Sequence, residues 1–130
     1  MKVLHVGAHL DRQRRLPEAL LQAWPTLMDV ASAASGEEVN VRVLQAAAED
    51  ATLSAHGITC EFVAERPFRI GRRTVLVPRR LAKRATAFSP DLVHFHGLSL
   101  ALPLRWLQRA LPGTPVLAQD HGGSPRSGWR

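Results

Sequence analysis

The chain has 130 residues, of which 17 are Lys or Arg and 11 are Asp or Glu, so its formal net charge is +6. At about 150 residues per domain this length allows one domain, and an apolar share of 45% beside a charged share of 22% is typical of a globular protein. The single cysteine excludes intrachain disulfides and four-cysteine zinc sites, and no apolar stretch reaches the ~18 residues of a membrane span, so we expect a cytoplasmic protein.

The N-terminal part of the chain predicts a strand, a loop and a helix. Residues 2–6 form a short, mostly apolar run that ends at Gly7, which is typical of a buried strand opening into a loop. A long basic loop follows over 8–15. Apolar residues at helical spacing over 17–31 predict a helix, which Pro25 should kink.

The middle of the chain predicts two further strands. Apolar and polar residues alternate over 39–44, and 58–63 places Cys60 on an apolar face as a buried, inert thiol. Between these strands, 46–56 indicates a short helix or an irregular crossover. The stretch 65–74 is rich in Arg, Pro and Gly and has no apolar period, so we expect an exposed loop.

The last part of the chain predicts two helices and two strands. An amphipathic pattern over 78–88 predicts a helix, and 92–95 is the most strand-like run of the sequence. A second helix is expected over 98–111 and a last strand over 116–118. Only a polar tail follows, with no predicted closing helix, so we expect the domain to be incomplete at its C-terminal end.

This alternation of strands and helices is typical of βαβ units. It predicts one α/β domain over 1–130, with an open parallel sheet, helices on both faces and right-handed crossovers. In such sheets the ligand crevice lies beyond the carboxyl ends of the strands, where the strand order reverses. That rule selects three segments as candidate site: 7–9, 96–99 and 120–123.

Two histidines on the fourth predicted parallel strand have the spacing of metal ligands. His94 and His96 are alternate residues and therefore point to the same face of a strand. A third ligand would have to be His9, Asp120 or His121, and no recognised metal motif completes the set, so we expect no metal site. We interpret His94 as a histidine hydrogen-bonded inside the sheet and His96 as a residue facing the crevice.

The last predicted strand runs directly into Asp120, His121, Gly122 and Gly123. Glycine lets the backbone approach a ligand closely, and histidine exchanges protons near neutral pH. The alternative interpretation is an ordinary turn after a strand. The sequence contains no GxGxxG fingerprint, no P-loop and no GxSxG elbow, which argues against a dinucleotide site, a P-loop nucleotidase and a serine hydrolase.

A basic run lies between the middle strands and the next helix: Arg66, Arg69, Arg72, Arg73, Arg79, Arg80, Lys83 and Arg84. Only Phe68 is interleaved with these cations and the chain has no Tyr, so we do not expect a nucleic-acid partner. The basic residues predict a solvated helix face, with an anionic membrane surface or an acidic acceptor as the functional alternative.

Four segments, taken in order, resemble the N-terminal domain of GT-B glycosyltransferases of family 4: residues 2–7, 39–44, 89–97 and 114–122. The more specific part is SPDLVHFHG followed further along by PVLAQDHG. The resemblance covers the whole chain and implies a Rossmann-like fold that forms the N-terminal half of a GT-B architecture.

The resemblance also implies an activity. In this family the N-terminal domain binds the acceptor, and a second domain binds a nucleotide-sugar donor across a cleft. It therefore implies a hexosyltransferase-type enzyme that acts with retention, takes a nucleotide-sugar as substrate and needs neither cofactor nor metal. Because the donor-binding domain is a partner outside this sequence, we expect the chain to be inactive alone.

The resemblance implies residue roles as well. His121, in the Asp-His-Gly turn, is expected to face the donor sugar near the reacting carbon as the catalytic residue, and His96 to line the same cleft. With the sheet-edge rule, the expected substrate-binding residues are Gly7, His9, His96, Gly97, Asp120 and Gly122. Two alternatives are a flavodoxin-like module that binds a phosphorylated ligand or partner protein, and a metal-dependent hydrolase that uses His94, His96 and His121.

Overall fold

The computed structural model describes residues 1–10, 13–23, 38–55, 57–97 and 101–119. Within these ranges the chain forms, in order, β1 (Lys2–Gly7), α1 (Pro17–Ala23), β2 (Asn40–Ala47), β3 (Ala51–Ala55), β4 (Ile58–Ala64), β5 (Phe68–Ile70), β6 (Arg73–Val75), α2 (Arg79–Phe88), β7 (Leu92–His96), α3 (Ala101–Ala110) and β8 (Val116–Gln119). None of the helices in these ranges is long and apolar enough to cross a membrane.

Six strands form one sheet in the order β3-β4-β2-β1-β7-β8. All neighbouring pairs are parallel except β3 and β4. From β1 the chain first adds strands on one side, β2 and β4, and then returns to the other side with β7 and β8. The strand order therefore reverses between β1 and β7, and the carboxyl ends of these two strands mark the position where open α/β sheets bind ligands.

Two apolar layers cover the two sides of the sheet, because successive side chains of a buried strand point to opposite faces. The layer against α2 and α3 includes Leu4, Val6, Leu44, Leu81, Ala85, Phe95 and Leu107. The layer against α1 includes Val3, Leu20, Val43, Cys60 and Phe62. We call these sides the α2 face and the α1 face. Helices on both faces confirm the predicted α/β architecture.

Helix α2 forms as its apolar stripe predicts, with Leu81, Ala85 and Phe88 buried against the sheet. The buried carboxylate of Glu65 accepts a hydrogen bond of 2.7 Å from the Leu81 N–H and so satisfies one of the free donors of the first turn. Burial raises the pKa of Glu65. The helix ends at Ser89, which adopts a left-handed conformation with φ of 53°.

The prediction of a helix or crossover over 46–56 is wrong. Strand β2 continues to Ala47, a short loop follows, and Ala51–Ala55 forms β3, which pairs antiparallel with β4. The sheet is therefore mixed, although most of it is parallel. Five alanines give this stretch local helical character, but β4 is buried between two strands, and pairing with its outer edge overrides that weak preference.

The prediction of a loop over 65–74 is also wrong, because a small hairpin occupies this stretch. Strands β5 and β6 pair antiparallel, with Ile70 opposite Arg73. Gly71, with φ of 62°, stands at the first position of the two-residue turn, where a Gly-X sequence is typical of a type II′ turn. The hairpin has no apolar period because both of its faces are largely exposed.

The remaining elements agree with the sequence where the structure describes them. Strands β1, β4 and β7 match their predictions within one or two residues, and the helices predicted over 17–31 and 98–111 contain the observed Pro17–Ala23 and Ala101–Ala110. The rest of the first predicted helix and the start of the second lie outside the described residues.

Candidate functional site

Three histidines meet on the α1 face of the sheet, next to the reversal of strand order. In β1, His5 follows Val3 on this face, and in β7 the alternate residues His94 and His96 share it. The strands pair so that His5 lies opposite His94 and Gly7 opposite His96. The backbone register therefore fixes the relative positions of all three imidazoles.

The three rings are in mutual contact. His5 Nδ1 lies 3.0 Å from His96 Nε2, which is a hydrogen bond between two imidazoles. The rings of His94 and His96 stack with centroids 4.2 Å apart and planes 22° from parallel, and the centroids of His5 and His94 are 4.8 Å apart. We call these three residues the histidine cluster.

Burial keeps His5 neutral over most of the pH range. Its side chain is 1% exposed, and desolvation, followed by repulsion from His94, lowers its pKa from 6.5 to about 4. Among the described residues, its Nε2 atom is a buried polar atom without a hydrogen-bond partner. A neutral imidazole has one N–H and one lone pair, so this histidine leaves half of its bonding capacity unused.

His94 is oriented from the neighbouring strand. The Gln119 side-chain oxygen accepts a hydrogen bond of 2.7 Å from His94 Nε2. Because this nitrogen donates, His94 Nδ1 carries the lone pair of the neutral ring. His94 is half-buried, whereas His96 is buried, with 8% of its surface exposed.

Gln45 connects the end of β1 to the neighbouring strand β2. Its side-chain amide donates hydrogen bonds of 3.0 Å to the carbonyl oxygens of His9 and Ala46. The side chain lies over Gly7, so a Cβ atom at position 7 would overlap Gln45 Oε1. Glycine is therefore required at the end of β1 to make room for the amide that holds the following loop.

The structure brings together several of the residues predicted to bind substrate. Gly7 and His96 are register partners at the ends of β1 and β7, and the Gly97 N–H donates to the Gln119 carbonyl at 2.8 Å. His9 follows β1, and its carbonyl is held by Gln45. The predicted catalytic residue and its neighbours, Asp120, His121 and Gly122, lie outside the described residues.

The relative burial of the two strand histidines is opposite to the prediction. His96, expected to face the crevice, is the more buried and contacts His5. His94, expected inside the sheet, is the more open because its neighbours on the outer strand β8, Leu117 and Gln119, are exposed. The side of the cluster that faces β8 is therefore its accessible side.

Comparison with known proteins identifies the family. The sequence profile described as Glycosyltransferase Family 4 matches residues 25–130. The chain belongs to glycosyltransferase family 4. No curated protein and no solved structure gives a significant match. The matched region contains β2 to β8 and so two of the clustered histidines, His94 and His96, while His5 precedes it.

In this glycosyltransferase domain, much of the basic helix face is used structurally. The Arg80 guanidinium forms a bidentate ion pair with Asp50, with Nη1 2.9 Å from Oδ1 and Nη2 2.7 Å from Oδ2. This ion pair lowers the pKa of the Asp50 carboxyl to about 2. Arg84 lies 3.3 Å from Glu61. Arg79 lies over the Trp106 ring, 5.9 Å from its centroid. These contacts connect α2 to the loop between β2 and β3, to β4 and to α3. Arg79, Arg80 and Arg84 are nevertheless exposed, as expected for a solvated helix face.

Cys60 is excluded as a nucleophile by its surroundings. The thiol is 1% exposed on β4, and burial, followed by repulsion from Glu61, raises its pKa to about 12. The prediction that this thiol is buried is confirmed, and its raised pKa favours an inert thiol.

Two residues of the site were missed from the sequence alone, His5 and Gln45. Each stands inside an apolar run, and such a run predicts a buried strand and not a polar site. The sequence did contain a signal for His5. It stands two residues before Gly7 and therefore shares a face of β1 with it, and in a parallel sheet a polar side chain near the carboxyl end of β1 lies beside those near the carboxyl end of β7.

Proposed function

We propose that this chain is the acceptor-side, N-terminal domain of a retaining glycosyltransferase that takes its sugar from a nucleotide-sugar donor. Two observations together carry the proposal. The chain belongs to glycosyltransferase family 4, and Gly7, His96 and Gly97 lie at the carboxyl ends of β1 and β7, where the strand order reverses; we call this position the switch point. A histidine and two glycines at this position suit an acceptor or sugar that approaches the backbone closely and whose hydroxyl groups must be oriented.

The reaction requires two sets of polar groups. The sugar passes through an oxocarbenium-like transition state, and the nucleoside diphosphate leaves with its negative charge. The sugar and acceptor need hydrogen-bonding groups, which the switch point offers. We assign the diphosphate to a second, donor-binding domain, where cationic side chains or a helix N-terminus can hold it without a metal.

Within this proposal His121 is the catalytic residue and contacts the donor sugar, and its sequence neighbours Asp120 and Gly122 bind substrate. These residues directly follow β8, whose neighbour in the sheet is β7. The carboxyl end of β8 is therefore next to that of β7, at the edge of the sheet where ligands bind, and this supports the proposed role of the residues that follow it.

The proposed function is tested by assaying transfer from a panel of nucleotide-sugars to simple glycoside acceptors. The assay compares the 130-residue chain with the same chain extended to the end of its reading frame. We expect no turnover from the first, turnover from the second, and a product with the anomeric configuration of the donor by NMR. A product with inverted anomeric configuration contradicts retention. If the extended protein shows no transfer and no donor binding, the proposal itself is contradicted.

We also propose that the protein works in the cytoplasm and touches an anionic membrane surface. The β5–β6 hairpin favours this contact, because Phe68 and Ile70 are 46% and 61% exposed and stand beside the exposed cations Arg69, Arg72 and Arg73. Apolar side chains flanked by arginines suit the interface between acyl chains and acidic headgroups.

A further inference from the structure

We propose that His5, His94 and His96 bind a divalent transition-metal ion such as Zn²⁺ on the α1 face of the sheet. Each residue offers one imidazole nitrogen, and the three nitrogens lie within 4.8 Å of one another. Three neutral histidines with a fourth, open position are a ligand set typical of accessible zinc sites. The sequence pattern indicated His9, Asp120 or His121 as the third ligand, and the fold supplies His5 instead.

The distances are close to those of a coordinated ion. With Zn–N bonds of 2.0–2.1 Å and tetrahedral angles, ligand nitrogens stand about 3.3 Å apart. His5 Nδ1 and His96 Nε2 are already 3.0 Å apart. A pair at the 4.8 Å limit would have to close by about 1.5 Å, which small rotations of the imidazole side chains can supply without movement of the strands.

The backbone holds the three ligands in place. His94 and His96 are alternate residues of β7, and His5 is the register partner of His94 on β1. Both strands lie inside the sheet, with hydrogen-bonded neighbours on each side. The three positions are therefore fixed before any ion binds, which lowers the entropic cost of assembling a site.

Hydrogen bonding around the cluster also suits a metal. The hydrogen bond from His94 Nε2 to the Gln119 oxygen fixes the ring tautomer and leaves the lone pair on Nδ1. In metal-bound histidines, the ring nitrogen that does not bind the ion commonly makes a hydrogen bond of this kind. When His5 Nδ1 and His96 Nε2 both bind the ion, the ring proton of His5 lies on Nε2, which has no hydrogen-bond partner among the described residues. No hydrogen bond therefore has to break at Nε2 for His5 to coordinate through Nδ1.

The open position faces β8, where His94 is half-buried and Leu117 and Gln119 are exposed. An ion can enter from this side, and water or an oxygen atom of a ligand can occupy the fourth coordination position. A fourth ligand that is anionic would compensate for the charge of an ion held by three neutral imidazoles. The metal site shares His96 with the proposed substrate crevice, but metal binding requires only residues of this chain and can be measured without the transfer reaction.

The test is metal binding by the untagged 130-residue chain, stripped of metal with a chelator. We expect one equivalent of Zn²⁺ by isothermal titration and, with Co²⁺, the intense visible absorption of a tetrahedral complex. His94→Ala should lose the Co²⁺ absorption and weaken binding by more than about 100-fold, and Gln119→Ala, which removes only the outer hydrogen bond, should weaken it by about 10-fold to 100-fold. His56→Ala should bind as the unchanged chain does.

His5→Ala is the decisive variant for the third ligand, and circular dichroism checks that it is folded. If it does not fold, Gln119→Ala and His94→Ala carry the test, since both residues are accessible. The proposal is overturned if Co²⁺ produces no tetrahedral absorption, if His94→Ala binds as tightly as the unchanged chain, or if His56→Ala loses binding to the same extent.

Discussion

Acidification should destabilise this domain through His5. The folded-state pKa of His5 is about 4, against 6.5 for an ordinary histidine, because the side chain is buried. Between these two values the unfolded chain binds a proton at His5 and the folded chain does not. Stability therefore rises with pH across this interval: the contribution of neutral His5 is fully present above about pH 6.5 and is lost progressively as the pH falls to about 4.

The size of the effect follows from the two pKa values. Each pH unit of difference corresponds to about 1.4 kcal/mol, so the interval from 6.5 to about 4 corresponds to a loss of about 3 kcal/mol in the free energy of unfolding. This is a large share of the 5–15 kcal/mol typical of a domain. Half of the loss should already be present near the middle of the interval.

Urea unfolding followed by circular dichroism, at several pH values and with chelator present, measures the effect. His5→Asn removes the titrating group, so its stability should depend less steeply on pH than that of the unchanged chain. Glu65, whose pKa is raised by burial, and Asp50, whose pKa is about 2, titrate alike in both proteins and cancel in the comparison. Parallel pH profiles for the two proteins would show that His5 is not the responsible group.

Three further perturbations test the site and its surroundings. Gly7→Ala should destabilise the domain by about 1–3 kcal/mol in urea unfolding, because the new Cβ overlaps the Gln45 side chain, and the loss should shrink when Gln45→Ala is combined with it. The double variant Phe68→Ser/Ile70→Ser should bind anionic vesicles less than the unchanged chain in sedimentation assays, and all such binding should weaken with salt. In the extended protein, His121→Ala should lower kcat by about 30-fold to 1000-fold while the free energy of unfolding changes by less than about 1 kcal/mol.

Matched controls decide between these expectations and general damage. Leu117→Ser changes an exposed apolar residue on β8 rather than on the hairpin, so it should leave vesicle binding unchanged. An additive loss in the Gly7 and Gln45 double variant would show that the two side chains do not collide. Full turnover by His121→Ala would show that His121 is not catalytic, and a variant that fails to fold would show that His121 is a structural residue.

The sequence predicted the elements whose pattern is both local and strong. The amphipathic stripe of α2 and the alternation in β4 identified the buried faces, because burial on one side imposes a period that the sequence must carry. It failed over Ala51–Ala55 and the β5–β6 hairpin, where the strands are short and partner choice, not periodicity, determines the conformation.

The sequence predicts where in the fold the candidate site lies, but not all of the residues that form it. The alternation of elements and the sheet-edge rule pointed to Gly7, His96 and Gly97. The contact between His5 and His96 joins residues 91 positions apart, and it depends on which strands are neighbours and in what register. No local pattern contains that information, so His5 was read as one member of an apolar run.

The composition of the histidine cluster points to function rather than stability. Central strands of a parallel sheet are covered on both sides and are ordinarily filled with Val, Ile and Leu. At the ends of β1 and β7 this chain has three imidazoles instead, one of them 1% exposed and incompletely hydrogen-bonded among the described residues. Aliphatic side chains there would avoid the desolvation cost that lowers the pKa of His5. Because the same position is where open α/β sheets bind ligands, the cost is best explained by a polar group, ion or substrate that these nitrogens contact.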